Sequence, residues 1–262
     1  MIDIPIELDK NNSHSWLVMG IELLELQKYT ESLQCLEKAL KQNSKNLDAV
    51  YYMAYVLKRL YRYDESIQLY QEVIKENPFS AFIWHEYGVI HALYLGNGNK
   101  SIQCLKKAVS LEPKTWIYSY WLSMVLNDSE KYSDALDVAN NFLKFFPDNS
   151  AILYCKIHIL GNLEKYKEQI ETCDHFLIRQ EDSTGIAYTK ANTLANLKKF
   201  KESIVWYDNA WRDGEGFYGI ENKRRALEAI KTGNVSDMPF TFHCDGKKFD
   251  FSVLCERKRK TK

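Results

Sequence analysis

Small residues recur along the chain at a nearly constant interval. The series is Gly20, Ala54, Gly88, Ser123, Ile157 and Ala191, at steps of 34 or 35 residues, and five of its six members are small. Around each position, apolar residues follow a helical period in one stretch and, after a break, in a second stretch. The pattern predicts pairs of helices that cross closely at the small residue and stack one pair after another.

The break between the two helices is clearest in the third unit, where Gly96-Asn97-Gly98 interrupts the apolar pattern. Prolines follow the second helices at steps of 35 and 34, at Pro78, Pro113 and Pro147. The extra residue of the third unit therefore falls between Gly88 and Pro113, and we expect it within residues 96–99. Aromatic residues precede the second helix in five units, at Tyr29, Tyr63, Tyr132, Tyr166 and Phe200.

This period and pattern resemble the tetratricopeptide repeat. The third unit shows the resemblance best, with Trp84, Gly88 and His91 in the first helix and Ser101, Leu105 and Ala108 in the second. The resemblance covers residues 13–233 and implies an all-α fold, a right-handed α-solenoid of six helix-pair repeats. The expected repeats are 13–46, 47–80, 81–115, 116–149, 150–183 and 184–217, followed by a capping helix at 217–231.

Both ends of the chain differ from the repeats. Residues 1–12 form an N-terminal extension, and residues 234–262 form a C-terminal tail. The tail alternates in side-chain character on both sides of Asp245-Gly246, which predicts a short β-hairpin. Its phenylalanines lead us to expect that the hairpin packs on the capping helix. The last residues, ERKRKTK, are a basic run.

Composition narrows the possible functions. The chain has 35 basic and 35 acidic residues, so its net charge does not favour nucleic acid or an anionic membrane as the main partner. An acidic N-terminal stretch and the lack of a long apolar run argue against a signal peptide and a membrane span. We expect a cytoplasmic protein. The basic run leaves nuclear localisation open, and with it an alternative function as a nucleic-acid-associated factor that makes contact through the tail.

The sequence contains no recognisable catalytic motif. His85 and His158 have no serine or cysteine nucleophile in a known arrangement, and neither HExxH nor GxSxG occurs. His243, Cys244 and Cys255 are too few for a structural zinc site and lack a CxxC spacing. We therefore predict a protein that is not an enzyme and that carries no metal or other cofactor.

In the tetratricopeptide repeat family, the first helices line a concave groove that binds peptides or helices of other proteins. The groove positions match two series here. One series comprises Tyr51, His85, Tyr120, Tyr154 and Tyr188, and the other, four residues later, includes Tyr55, Met124, His158 and Asn192. Residues four apart share a helix face, so the stack should present a ladder rich in tyrosine. Tyrosine offers a rigid apolar ring and a hydroxyl for hydrogen bonding.

The known family clamp for chaperone C-terminal carboxylates needs lysine and asparagine four residues apart, and only Asn192 matches half of that pattern. A chaperone adaptor is therefore not expected. The sequence predicts a non-catalytic scaffold or adaptor whose tyrosine-lined groove binds a protein or peptide segment rich in apolar and uncharged polar residues. Two lysines, Lys156 and Lys190, fall at core positions, and we expect their long stems to reach past the core.

Overall fold

Helices account for all regular secondary structure in the described part of the chain, which is residues 12–179, 184–211 and 217–233 of a computed structural model. In chain order they are α1 (Ser13–Glu25), α2 (Tyr29–Gln42), α3 (Leu47–Arg59), α4 (Tyr63–Glu76), α5 (Ala81–Leu93), α6 (Gly98–Leu111), α7 (Trp116–Asp128), α8 (Tyr132–Leu143), α9 (Ser150–Asn162), α10 (Tyr166–Leu177), α11 (Thr184–Asn196), α12 (Phe200–Trp211) and α13 (Phe217–Thr232). The predicted all-α solenoid of helix pairs is confirmed. The predicted β-hairpin lies outside the described residues.

The odd-numbered helices α1 to α11 are the first helices of six pairs, and the even-numbered helices α2 to α12 are the second helices. The chain divides into two compact units, residues 1–159 and residues 160–262. In the first unit, α3 packs against both α1 and α5, and α5 packs against α7. First helices of neighbouring pairs therefore form a continuous face within this unit.

The two helices of a pair approach closely at the small residues. The buried Ser32 hydroxyl donates a hydrogen bond to the Gly20 carbonyl at 2.6 Å, and Ser66 donates to the Ala54 carbonyl at 2.7 Å. These bonds satisfy hydroxyls that would otherwise be buried without a partner. At Gly88, a Cβ atom would lie 3.0 Å from Leu105 Cγ. The crossings at Gly20, Ala54 and Gly88 are thus close, as predicted, and leave room only for a small side chain.

A three-residue turn joins the helices of most pairs and keeps the same geometry each time. Its middle residue is left-handed, with φ between 55° and 64°, at Gln27, Tyr61, Glu130, Glu164 and Lys198. The next amide donates to a leucine carbonyl five residues earlier at 2.9 Å in each case, as in the bonds from Lys28 to Leu23, Arg62 to Leu57, Lys131 to Leu126, Lys165 to Leu160 and Lys199 to Leu194. This is the Schellman arrangement that satisfies the last carbonyls of a helix.

The third pair has four residues, 94–97, where these other pairs have three. Gly96, with φ of 61°, takes the left-handed position, and Gly98 is already the first residue of α6. The extra residue therefore lies at 94–95, slightly before the predicted 96–99. The glycines mark the turn conformation and the helix start, and the insertion precedes them.

Lys190 in the second unit reaches a partner instead of remaining unpaired in the core. It is 8% exposed, its ammonium forms an ion pair with Asp174, and its Nζ lies 3.8 Å from the centre of the Trp206 ring. The ammonium of Lys190 is thus paired within the structure and is not carried out to solvent. Gln169 in the same unit packs over Gly161 and accepts a hydrogen bond from Thr193 at 2.9 Å. Polar residues at core positions are therefore paired here.

Gly88→Leu should lower the free energy of unfolding by about 1–3 kcal/mol, because the added side chain overpacks the crossing with Leu105. Urea denaturation followed by circular dichroism measures the change. Gly185→Leu is a matched control, since a Cβ at that helical glycine meets no atom within 4 Å. If Gly88→Leu unfolds at the same urea concentration as wild type, the close crossing described here is incorrect.

Candidate functional site

Aromatic rings from three first helices of the first unit come into contact on one face. The Tyr51 ring of α3 lies 5.5 Å from the Phe82 ring of α5, and Phe82 lies 6.3 Å from His85. His85 is in turn 6.4 Å from Trp121 of α7. We call the surface formed by Tyr51, Tyr55, Phe82, His85 and Trp121 the aromatic face. Its rings are positioned because neighbouring first helices pack side by side.

A buried ion pair lies beneath these rings. Lys58 of α3 pairs with Glu86 of α5, and the side chains are only 13% and 8% exposed. The Lys58 ammonium also lies 4.5 Å from the centre of the Tyr55 ring, within cation–π distance. Burial opposes the charged form of Glu86, but the Lys58 ammonium and the adjacent His85 outweigh it and lower the pKa of Glu86 to about 2. The pair therefore joins two first helices as a charged contact.

His85 sits next to this ion pair and is 6% exposed. Its Nδ1 lies 3.2 Å from a Glu86 carboxylate oxygen, and its ring centre is 5.1 Å from that of Tyr118. The Nδ1 contact does not meet hydrogen-bond geometry, and Nε2 has no hydrogen-bond partner among the described residues. Burial, and the nearby Glu112 and Glu86 carboxylates, raise the pKa of Tyr118 to about 12. His85, Glu86 and Lys58 thus form a buried polar cluster next to the rings of the aromatic face.

The predicted ladder residues of the first unit differ in exposure. His85 and Tyr120 are buried, at 6% and 5% exposed, whereas Tyr51, Tyr55, Met124, Tyr154 and His158 are half-buried. Tyr120 contacts Trp121 with ring centres 6.1 Å apart. The Tyr154 and His158 rings on α9 lie 4.5 Å apart, and burial lowers the pKa of His158 to about 4.

The structure adds residues that the sequence interpretation missed. They are Lys58, Phe82, Glu86, Tyr118 and Trp121. Tyr52, Glu86 and Trp121 each directly follow a ladder residue, at steps of 34 and 35. This second series was therefore visible in the sequence. The link from Lys58 to Glu86 was not, because it depends on which helices pack together.

In the second unit, the predicted residues Tyr188 and Asn192 take part in a buried hydrogen-bond network. Asn222 of α13 donates to the Tyr188 hydroxyl at 2.9 Å and to the Asn192 side-chain carbonyl at 3.0 Å. The Tyr207 hydroxyl donates to the same Asn192 oxygen at 2.8 Å. Both predicted residues are below 10% exposed. In this structure their polar atoms help to attach α13 to the last pair.

Other kinds of site are not apparent within the described ranges. No group of three or more His, Cys, Asp or Glu residues in this part of the chain is arranged to hold a metal ion. No helix within the same ranges is both long enough and apolar enough to cross a membrane. The residues His243, Cys244 and Cys255 and the basic run lie outside the described residues.

Known proteins share the repeat pattern and the fold. The family model for the tetratricopeptide repeat matches residues 17–81 and 89–150. No curated protein matches the chain by sequence. Among solved structures, YrrB, a TPR protein with an unusual peptide-binding site, is 17% identical, with a TM-score of 0.59 over 71% of this chain and 95% of YrrB.

Two further structures are also similar. PilW, a widely conserved type IV pilus biogenesis factor, is 16% identical, with a TM-score of 0.66 over 82% of this chain and 98% of PilW. A tetratricopeptide repeat protein from Parabacteroides merdae is 9% identical, with a TM-score of 0.66 over 84% of this chain and 86% of that protein. At these identities the likeness establishes the fold alone.

Glu86→Gln should destabilise the protein at pH 7 by about 3 kcal/mol, because it leaves the buried Lys58 ammonium without its counter-ion. Because the pKa of Glu86 is depressed, its ionised carboxylate stabilises the fold at pH values above 4.5, the ordinary pKa of the group. This contribution is lost as the pH falls towards about 2. The difference between wild type and variant, measured by urea denaturation, should therefore narrow between pH 4.5 and pH 2.

Glu65→Gln is the control, because Glu65 pairs with Arg62 on the exposed surface and should contribute little at any pH. Comparing variant with wild type at each pH cancels the effect of other acid-sensitive groups such as His158. A difference in stability that is as large at pH 3 as at pH 7 would mean that the ion pair is not its source.

Proposed function

Because the chain belongs to the tetratricopeptide repeat family, whose fold serves protein–protein interaction, we propose that it is a non-catalytic scaffold that binds a peptide segment on the aromatic face. The observation that carries this proposal is the contact between rings of α3, α5 and α7 above the Lys58–Glu86 ion pair. YrrB is described as having an unusual peptide-binding site, which supports the same class of ligand here.

The exposed rings of this face suit an apolar ligand. Phe82 is 41% exposed, and Tyr55 and Trp121 are half-buried, so each keeps ring surface that a partner could cover. Rings held by their neighbours lose little conformational freedom on binding, which favours affinity. Aromatic side chains are also the residues most often dominant in interface energetics. The proposed ligand contributes aliphatic or aromatic side chains to this layer.

Charge on the face argues for an uncharged ligand. Lys58 and Glu86 neutralise each other, so this ion pair offers no net charge to an oppositely charged partner. We therefore propose a segment rich in apolar and uncharged polar residues, as predicted from the sequence. This chemistry differs from a chaperone C-terminal carboxylate, which requires a cationic clamp. Binding should depend only weakly on salt.

The remaining predicted residues have separate proposed roles. Met124, Tyr154 and His158 are half-buried in the first unit, and we propose that they extend the binding surface beyond the aromatic face. Tyr120 is buried beside Trp121, and we propose that it supports that ring. For Tyr188 and Asn192, which bond to Asn222, we propose that attaching α13 is the first role.

Replacing Phe82 and Trp121 together with alanine should weaken partner binding about thirtyfold or more, since the loss of even one aromatic anchor commonly costs about 2 kcal/mol or more. Affinity purification with the wild type and the double variant identifies the partner. Titration of the responsible segment then gives the dissociation constant. Raising the salt from 50 to 500 mM should change that constant less than about threefold.

Phe79→Ala is the matched control. Phe79 is 77% exposed, lies in the turn before α5 and has no ring contact with the aromatic face among the described residues, so its loss should leave binding unchanged. Circular dichroism confirms that each variant stays folded. A folded double variant that retains every partner of the wild type would place function on another surface and refute the proposal.

A further inference from the structure

The last helix, α13, exposes apolar side chains on one side. Ile220, Leu227 and Ile230 are 44%, 40% and 42% exposed. At about 100° per residue these three positions fall within an arc of roughly 80° around the helix. A different side of α13 buries Asn222 and Ala226 against the last helix pair. Lys223, which pairs with Asp208, falls within the same arc, so this side of α13 carries three exposed apolar side chains and one lysine.

Comparison with earlier first helices shows that this exposure is unusual. The positions equivalent to Ile220, at the same steps of 34 or 35, are Ala49, Ile83, Tyr118, Ile152 and Ile186, which are 0–6% exposed. Those equivalent to Leu227 are Val56, Ile90, Val125, Ile159 and Thr193, also 0–6% exposed. In the first unit these positions pack against the preceding pair, as Ile83 and Ile90 of α5 do against α3 and α4. On α13 the contact with the preceding pair is made instead by Asn222 and Ala226, which leaves Ile220 and Leu227 exposed.

We call the side of α13 that carries Ile220, Leu227 and Ile230 its outer side. This side differs from the polar face expected of a capping helix. A terminal helix normally presents a polar outer face, because no further repeat covers it. Here Ile220 and Leu227 are apolar, and each leaves about two fifths of its surface exposed. A helix that is apolar on more than one side is normally covered on each of them.

The chain itself contains a segment that could cover this side. Beyond Gly233, the 29 residues 234–262 include five large apolar residues, Phe240, Phe242, Phe249, Phe251 and Leu254. The six residues between Gly233 and Phe240 can span about 20 Å when extended, compared with about 15 Å of helix between Ile220 and Ile230. The segment is therefore long enough to reach the exposed side.

We propose that residues 240–254 pack on the outer side of α13 and cover Ile220 and Leu227. Because the segment is tethered to the helix that it covers, its effective concentration is high and a modest apolar contact is enough to hold it. This contact is separate from the aromatic face. It would close the end of the array and prevent a second copy of the chain from using the same apolar side.

Photo-crosslinking of the full-length protein tests the proposal. A photoreactive phenylalanine analogue placed at Leu227 should crosslink within one chain to residues 240–254, as identified by mass spectrometry of monomeric material. The same analogue at Glu221, which lies about 100° away from Ile220 on the polar side of α13, is the control and should give little of this product. Crosslinks between two chains, or none to residues 240–254, would overturn the proposal.

Hydrogen exchange gives a second measurement that does not depend on altering α13. Replacing Phe249 and Phe251 with serine in the full-length chain should make the amides of residues 220–232 exchange about tenfold faster or more. Replacing Lys247 and Lys248 with serine changes the same segment without removing apolar surface, and should leave exchange as in wild type. Equal protection of α13 in wild type and the phenylalanine variant would show that the segment does not cover it.

Discussion

The close approach of two helices at one small residue per pair is the constraint on which the other contacts depend. Where the backbones cross at Gly20 or Ala54, a serine hydroxyl from the second helix reaches a carbonyl of the first. This spacing brings leucines such as Leu36 and Leu105 into the crossing, where they are completely buried. Within the first unit, the first helices α1, α3, α5 and α7 pack side by side, and side chains at equivalent positions become neighbours.

The aromatic face follows from that repetition but is not itself repeated. Equivalent positions hold Tyr51, His85 and Tyr120, yet only α3 and α5 carry the lysine and glutamate that pair beneath the rings. A buried ion pair contributes little net stability compared with apolar packing of the same volume, but breaking it is costly. Its effect here is to fix α3 relative to α5 and to leave no net charge next to the aromatic face.

The periodic features of the fold could be predicted from sequence because each is repeated several times. The six crossing residues, the aromatic residues that begin five second helices and the prolines all support one another, so a single exception such as Ile157 does not hide the pattern. The pairing of Lys58 with Glu86 occurs once and joins residues 28 positions apart, so no period reveals it. For a similar reason the inserted residue was predicted within residues 96–99, whereas it lies at 94–95. Glycine attracts attention as a loop residue, whereas at Gly96 it takes a turn conformation that glutamine and tyrosine also take.

Non-glycine residues at the left-handed turns have a consequence for how such a chain can evolve. A left-handed conformation costs an ordinary residue about 1–2 kcal/mol, so these turns are maintained by the helices on either side and not by the local preference of the turn residue. The identity of that side chain is therefore free to change while the backbone stays the same. Tyr61 occupies one such turn and is 78% exposed, beside the stacked rings of Tyr63 and Tyr94. At each such turn, a substitution can therefore change the chemistry of the surface without changing the fold.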